Sequence, residues 1–314
     1  MRDDAQLEHH SQGDCLAMVT VFGSTNLDQI GTVSRLPQPG ETVAGGTFSM
    51  AAGGKGANQA LAARRAGAEV RHWSAVGADP FADMALALLK VDGVDLSAMR
   101  TAEGPTGIAM IFVDGDGENV IAVLPGANAT MTAAHAEAAL GNLPRGAVVM
   151  LQQEIPQEAT ERALDLARQR GLVSILNTAP FLPTTRALAP KASMLVANET
   201  EFALLSGRGI EELDAAMQDW AKANDQTVIV TLGPDGAKAA TPEGLIHVPA
   251  MKVTPVDTVG AGDTFCGYLA AGLDAGLDLE ASMRRAATAA SLACLKQGAQ
   301  PAIPYAKDVD AAVS

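Results

Sequence analysis

From Ala147 onward, short apolar runs rich in β-branched residues alternate with helical segments, and this alternation restricts the fold more than any other feature. AVVMLQ (Ala147–Gln152), LVSILN (Leu172–Asn177), SMLVAN (Ser193–Asn198) and TVIVTLG (Thr227–Gly233) are apolar almost throughout. Strands covered on both faces read this way. PQEATERALDLARQRG, between the first two, carries its apolar residues at helical spacing. The pattern predicts an α/β fold whose central, mostly parallel sheet is flanked by helices on both faces. LAMVTVFG (Leu16–Gly23) adds a buried strand near the start, ending at a glycine.

Ligands of open α/β sheets bind beyond the carboxyl ends of the strands. Polar residues recur there: Asn26 and Asp28 in STNLD, Glu154, Asn198 and Glu201 in NETE, and Thr231 and Gly233 in TLGPDG. Asn26 and Asp28, one residue apart, suit adjacent hydroxyls of a polyol. They equally suit a plain turn. Any one of these residues reads as an ordinary loop position; their repetition on one edge marks a site.

Thr254–Gly267, TPVDTVGAGDTFCG, places Gly260 and Gly262 in a turn that opens a helical pattern. Free backbone N–H groups at a helix N-terminus seat phosphate oxygens. Asp263 sits in that seat. It serves either as a helix N-cap or as a base that takes a proton from a hydroxyl attacking a phosphoryl group. Ala51–Ala68, AAGGKGANQALAARRAGA, is a second glycine-rich helix entry, without the spacing of a Walker P-loop. Lys55 and Asn58 fall at i and i+3 on one face of its first turn, and the preceding glycines allow close backbone approach to a ligand.

Residues 31–50 and Gly107–Leu124 read as two hairpins able to pair into a small sheet outside the main layer. Its uncovered apolar face suggests a lid over a site, a partner subunit, or both. Near the end, an Ala-rich helix (Leu279–Ala293) precedes LKQGAQPAIP. The Gly-Ala-Gln-Pro turn fits a helix C-cap best; carbonyls offered to a cation are the other reading.

The 314 residues are 48% hydrophobic and 18% charged, as expected of a well-packed globular chain. Aromatics at 4% and 31 glycines imply a core built on close helix–sheet approach. The net charge of −14, with no basic run, argues against nucleic acid and anionic membranes as partners. Cys15, Cys266 and Cys294 form no disulfide framework and no metal signature; the latter two read as buried thiols. The polar start MRDDAQLEHHSQGD has no signal-peptide core, and His9 and His10 read as solvated. No apolar run approaches a membrane span, so a cytoplasmic protein is expected.

GSTNLD, PGETV, GGKGANQA, GENVI with PGAN, NETE, TLGPDG, DTVGAGDTF and KQGAQP, in this order from about Met18 to Pro304, resemble the ribokinase family of carbohydrate kinases. The resemblance implies ATP-dependent phosphorylation of D-ribose at O5. Another sugar or a nucleoside (deoxyribose, adenosine) is the alternative acceptor, and a non-catalytic sugar-binding regulator the more distant one. It implies that Asp263 is the catalytic base and that the N–H groups of Gly260, Ala261 and Gly262 form an anion hole. Asn26, Asp28, Gly54, Lys55, Asn58, Glu154 and Asp263 match sugar-binding positions. Asn198 and Glu201 match a motif serving Mg²⁺ and the phosphates; Thr231, Gly233, Gly236 and Gly262 match nucleotide-binding positions. Asp257, Val259, Ala293, Lys296, Gly298 and Ala302 match a site for K⁺, mostly through carbonyls. The implied organisation is a core of residues 16–30, 51–105 and 125–314, a β lid of 31–50 and 106–124 through which two copies form a homodimer, and a polar tail of 1–15. Two positions depart from the family pattern: Ala302, where Ser is common, and Ala287, near the adenine, where a polar residue is common.

Overall fold

In the computed structural model, which describes residues 18–116 and 118–313, the alternation forms one eight-stranded sheet. Its order is Gly244–Val248, Ala237–Thr241, Thr227–Thr231, Met194–Asn198, Val173–Asn177, Val148–Leu151, Val19–Phe22, Val70–Trp73. From Thr227–Thr231 to Val70–Trp73 all neighbours pair parallel. An antiparallel hairpin completes the other edge. Cys15, His9, His10 and the polar tail lie outside the described residues.

Successive side chains of a strand point to opposite faces, and the two apolar clusters follow that period. Val19, Val21, Met150, Ile175 and Ile229 belong to one cluster; Phe22, Val149, Leu151, Leu176 and Val230 belong to the other. Helices Lys55–Arg65, Ala261–Asp274 and Leu279–Ala293 cover the first face through Leu61, Leu269 and Met283. Helices Ala133–Leu140, Gln157–Arg170 and Leu213–Asn224 cover the second through Ala136, Leu164 and Met217. Small residues set the helix spacing. A Cβ on Gly267 would lie 2.4 Å from the Ala62 Cβ and 2.7 Å from the Ala63 backbone nitrogen.

A separate four-stranded sheet runs Gly45–Gly53, Asn26–Val33, Gly107–Val113, Asn119–Leu124. Its two outer pairs are antiparallel and the central pair parallel. The sheet begins at Asn26 and its second strand reaches Gly53, so both extend past the 31–50 boundary read from the sequence. Asn26 and Asp28 are therefore strand residues and not a turn. The period of two puts them on one face, while Phe48, Met50, Met110 and Phe112 share the other, where all four are exposed. Among the described residues, no helix is long and apolar enough to cross a membrane.

Candidate active site

The turn before helix Ala261–Asp274 needs glycine at its corner. Gly260 has φ 77, and a Cβ there would stand 2.8 Å from the Ala299 Cβ. The Ala261 N–H turns back to the Thr258 carbonyl at 3.3 Å. The N–H groups of Gly260, Gly262 and Asp263 have no acceptor among the described residues, so of the three donors expected at this turn only that of Ala261 is engaged. Asp263 does not cap this helix. Its buried carboxylate accepts from Asn58 Nδ2 and from Gln59 Nε2, each at 2.9 Å.

On one side of Asp263, two chain segments converge on Glu154. Its Oε2 accepts from Ser24 Oγ at 2.6 Å and from the Lys55 backbone N–H at 3.0 Å. Gly54 (φ 88) makes the approach possible, since a Cβ would stand 2.7 Å from the Asn26 nitrogen. Asn26 is oriented by buried Asn128, whose Nδ2 donates to Asn26 Oδ1 at 2.7 Å and whose Oδ1 accepts from the Thr25 N–H at 2.9 Å. Asn26, Asp28, Gly54, Lys55, Asn58, Glu154 and Asp263 are thus gathered at the carboxyl ends of the first parallel strands, beside the small sheet.

This pocket is crowded with charge. Burial, then the carboxylates of Glu154 and Asp263, push the Asp28 carboxyl up to about 7, with Lys55 acting in the opposite sense. For Lys55, burial works against the ammonium, but Asp263, Glu154 and Glu201 outweigh it and hold its pKa above the ordinary lysine value. The Asp28 shift has a measurable sign. Near pH 5 to 6 the native protein retains a proton on Asp28 that the unfolded chain has released, so its contribution to stability falls as pH rises toward 7. The Asp28→Asn variant is expected to lose less thermal stability than the wild type between pH 5 and pH 8. Parallel melting curves across that range would refute the shift.

On the other side of Asp263 lies a cavity of about 190 Å³ lined by Lys55, Asn198, Glu201, Thr231 and Gly262. Asn198 and Glu201 cap their helix reciprocally. Asn198 Oδ1 accepts from the Glu201 N–H at 2.8 Å, and Glu201 Oε2 accepts from the Asn198 N–H at 3.1 Å and from Thr178 Oγ1 at 2.9 Å. The second Glu201 oxygen has no protein partner among the described residues. Thr231 and Gly262 also line a larger cavity of about 670 Å³, with Gly233, Gly236, Phe265 and Ala287 on its walls. Gly236 (φ 95) is required there, since a Cβ would meet the Val248 carbonyl at 2.1 Å.

Asp257 ties two loops together behind the turn. Its carboxylate accepts from the Val259 N–H at 3.0 Å and the Gly298 N–H at 2.8 Å. The Lys296 N–H returns to the Ala293 carbonyl at 3.3 Å, and that of Ala302 to the Ala299 carbonyl at 3.3 Å. The Gly-Ala-Gln-Pro turn is not the C-cap that the sequence favours. Helix Leu279–Ala293 is capped at Cys294, and Gly298 lies beyond it, in the loop tied to Asp257. Cys294 is only partly buried and lines the larger cavity, unlike Cys266, whose fully buried thiol is pushed up to about 12 by burial and the Asp263 charge.

Sequence reasoning passes over Ser24, Gln59, Asn128, Gln152 and Thr178, whose contacts orient the expected residues. Gln59 and Asn128 stand inside GGKGANQA and PGAN, so adjacency to assigned motif positions was their available signal. Ser24 has the same signal inside GSTNLD; Gln152 and Thr178 carry no comparable mark.

A carboxylate between a pocket of amide and carboxylate side chains and a helix N-terminus facing a cavity is what phosphoryl transfer to an alcohol requires. The model of the pfkB family carbohydrate kinases matches residues 16–306. The chain belongs to that family. The kinase is 38% identical over 299 residues to the ribokinase of Staphylococcus aureus, an alignment covering 93% of this chain and 98% of that one. It is 33% identical over 291 residues to the deoxyribokinase of Salmonella typhi, covering 91% and 95%. Among solved structures, that of Arabidopsis thaliana ribokinase complexed with ribose and ATP superposes with a TM-score of 0.85 at 29% identity, covering 95% of this kinase and 99% of that protein.

Proposed function

We propose that this kinase transfers the terminal phosphoryl group of ATP to O5 of D-ribose, giving ribose 5-phosphate and ADP. The observation that carries the reading is the Asp263 carboxylate, buried between the Asn26–Asp28–Glu154 pocket and the cavity at the open helix N-terminus. Ribose in the first pocket directs its primary hydroxyl at Asp263, which takes the proton as O5 attacks phosphorus in line. The free N–H groups of the turn stabilise charge on the transferred group, and Lys55 adds a fixed positive charge between the two pockets.

ATP lies in the larger cavity with its phosphates toward Gly262. The donor chemistry of the smaller cavity fits Mg²⁺, since Glu201 offers an unpartnered carboxylate oxygen beside Asn198. When bound there, the ion neutralises phosphate charge. The Asp257, Val259, Ala293, Lys296, Gly298 and Ala302 loops offer mainly neutral carbonyls, a donor set suited to K⁺. Bound there, the cation holds the loop behind Gly260 in register. The four-stranded sheet serves as lid, excluding water that otherwise consumes ATP. Its exposed Phe48, Met50, Met110 and Phe112 form the face on which two copies pair isologously. A reaction drawing on ATP fits the cytoplasmic setting expected from composition.

ADP formation across pentoses, hexoses and nucleosides, with K⁺ or with tetramethylammonium at equal ionic strength, tests acceptor and cation together. Highest kcat/KM with D-ribose, and lower turnover without K⁺, are expected. Equal or better use of deoxyribose transfers the reading to the deoxyribokinase branch, because a hydroxyl-binding pocket that tolerates a missing hydroxyl was not built for it.

A further inference from the structure

Behind Asp263 stand two buried glutamines that the sugar, nucleotide and cation assignments leave unused. Gln59 Nε2 donates to Asp263 Oδ1 at 2.9 Å, and Gln152 Nε2 donates to Gln59 Oε1 at 2.6 Å. The two are exposed by 1% and 0%. Gln59 lies on helix Lys55–Arg65, Asp263 on helix Ala261–Asp274, and Gln152 directly after strand Val148–Leu151. An ionised carboxylate only accepts, so Gln59 must turn its NH₂ to Asp263 and its oxygen away. The Gln152 NH₂ meets that oxygen, so each group fixes the orientation of the next. A packing role does not account for the arrangement. Gln152 Oε1 is left buried without a partner, a cost that Leu or Met at this position would avoid. The backbone just past the first strand closes over that oxygen, since a Cβ on Gly23 would come within 1.9 Å of it.

We propose that Gln152 and Gln59 form an amide relay that positions the catalytic carboxylate of Asp263, a proposal resting on the reading of Asp263 as base. The two carboxylate oxygens have separate duties. Oδ2 is held by Asn58 Nδ2, a sugar-binding position whose own Oδ1 is buried and unpartnered, so an entering hydroxyl can draw that amide into its own contacts. Oδ1 remains on Gln59, which keeps the carboxyl plane from turning while the proton moves to Oδ2. A neutral amide does this without adding charge to a site that already holds Asp28, Lys55, Glu154 and Glu201.

Gln59→Met and Gln152→Met keep side-chain volume and remove the hydrogen bonds. Gln59→Met is expected to lower kcat by about 10- to 100-fold, as misorientation of a reacting group does. KM for D-ribose should stay within about threefold, because Gln59 contacts the base and not the sugar. Gln152→Met should lower kcat less, with the same split. In the double variant kcat should be no lower than in Gln59→Met alone, since both act through one contact. A kcat that is unchanged per folded molecule, a loss confined to KM, or kcat losses that multiply would each overturn the relay. Should Gln59→Met fail to fold, Gln152→Met carries the same test, and an unchanged kcat there overturns it. An inactive Asp263→Asn alongside unaffected glutamine variants sinks the relay alone; a wild type without sugar-dependent ADP formation sinks the base assignment itself.

Discussion

Replacing Asp263 with Asn is expected to lower sugar-dependent turnover by about 10²–10⁴-fold, the contribution of a positioned general base. The two side chains have the same shape, so the pocket should persist. The amide, however, cannot take a proton from the attacking hydroxyl. It also turns one NH₂ group against Asn58 or Gln59, both of which donate to the carboxylate. Some loss of thermal stability is therefore expected, on the order of 1–3 kcal/mol for an unsatisfied buried donor. D-Ribose affinity, measured calorimetrically without ATP, should change by only a few fold, since the other residues proposed to hold the sugar are untouched. Near-normal kcat in this variant would remove Asp263 from the mechanism.

Gly267→Ala should damage both fold and activity from a position that touches no substrate. The helix carrying Asp263 crosses the helix carrying Lys55, Asn58 and Gln59 at Gly267, against Ala62 and the Ala63 backbone. A methyl group 2.4 Å from one Cβ and 2.7 Å from a backbone nitrogen leaves no rotamer to relieve it. The helices must separate. Overpacking of this kind costs about 1–3 kcal/mol, occasionally more. For a chain of this length that lowers the melting temperature by roughly 2–10 °C. The same separation stretches the 2.9 Å contacts from Asn58 and Gln59 to Asp263, one turn away, so kcat should fall more than KM rises. A variant with wild-type melting temperature and kcat would show that the crossing does not set the site's geometry.

Much of this was legible in the residues because it rests on periodicity and on local backbone chemistry. The parallel strands announced themselves as short apolar runs, and the turn at Gly260 as glycines before a helical pattern. What stayed hidden depends on partners distant in the chain. Gln59 meets Asp263 across 204 positions and Gln152 across 93, and an isolated glutamine carries no sign of either contact. Asn26 and Asp28 are common turn residues, and only pairing with Gly45–Gly53 and Gly107–Val113 makes them a strand. The Gly-Ala-Gln-Pro turn follows a helix closely enough to suggest a cap. It is the Asp257 carboxylate, 41 residues away from Gly298, that draws it into a separate loop.

Incubating the kinase with D-ribose, ATP, Mg²⁺ and K⁺, and locating the phosphate on the product by ¹³C and ³¹P NMR, tests the central claim most directly. The result expected is ribose 5-phosphate in one-to-one proportion with ADP, because the proposed placement of ribose sets its primary hydroxyl against Asp263. Phosphate on another oxygen, or ADP formed without any sugar phosphate, would contradict the placement of ribose and of its base.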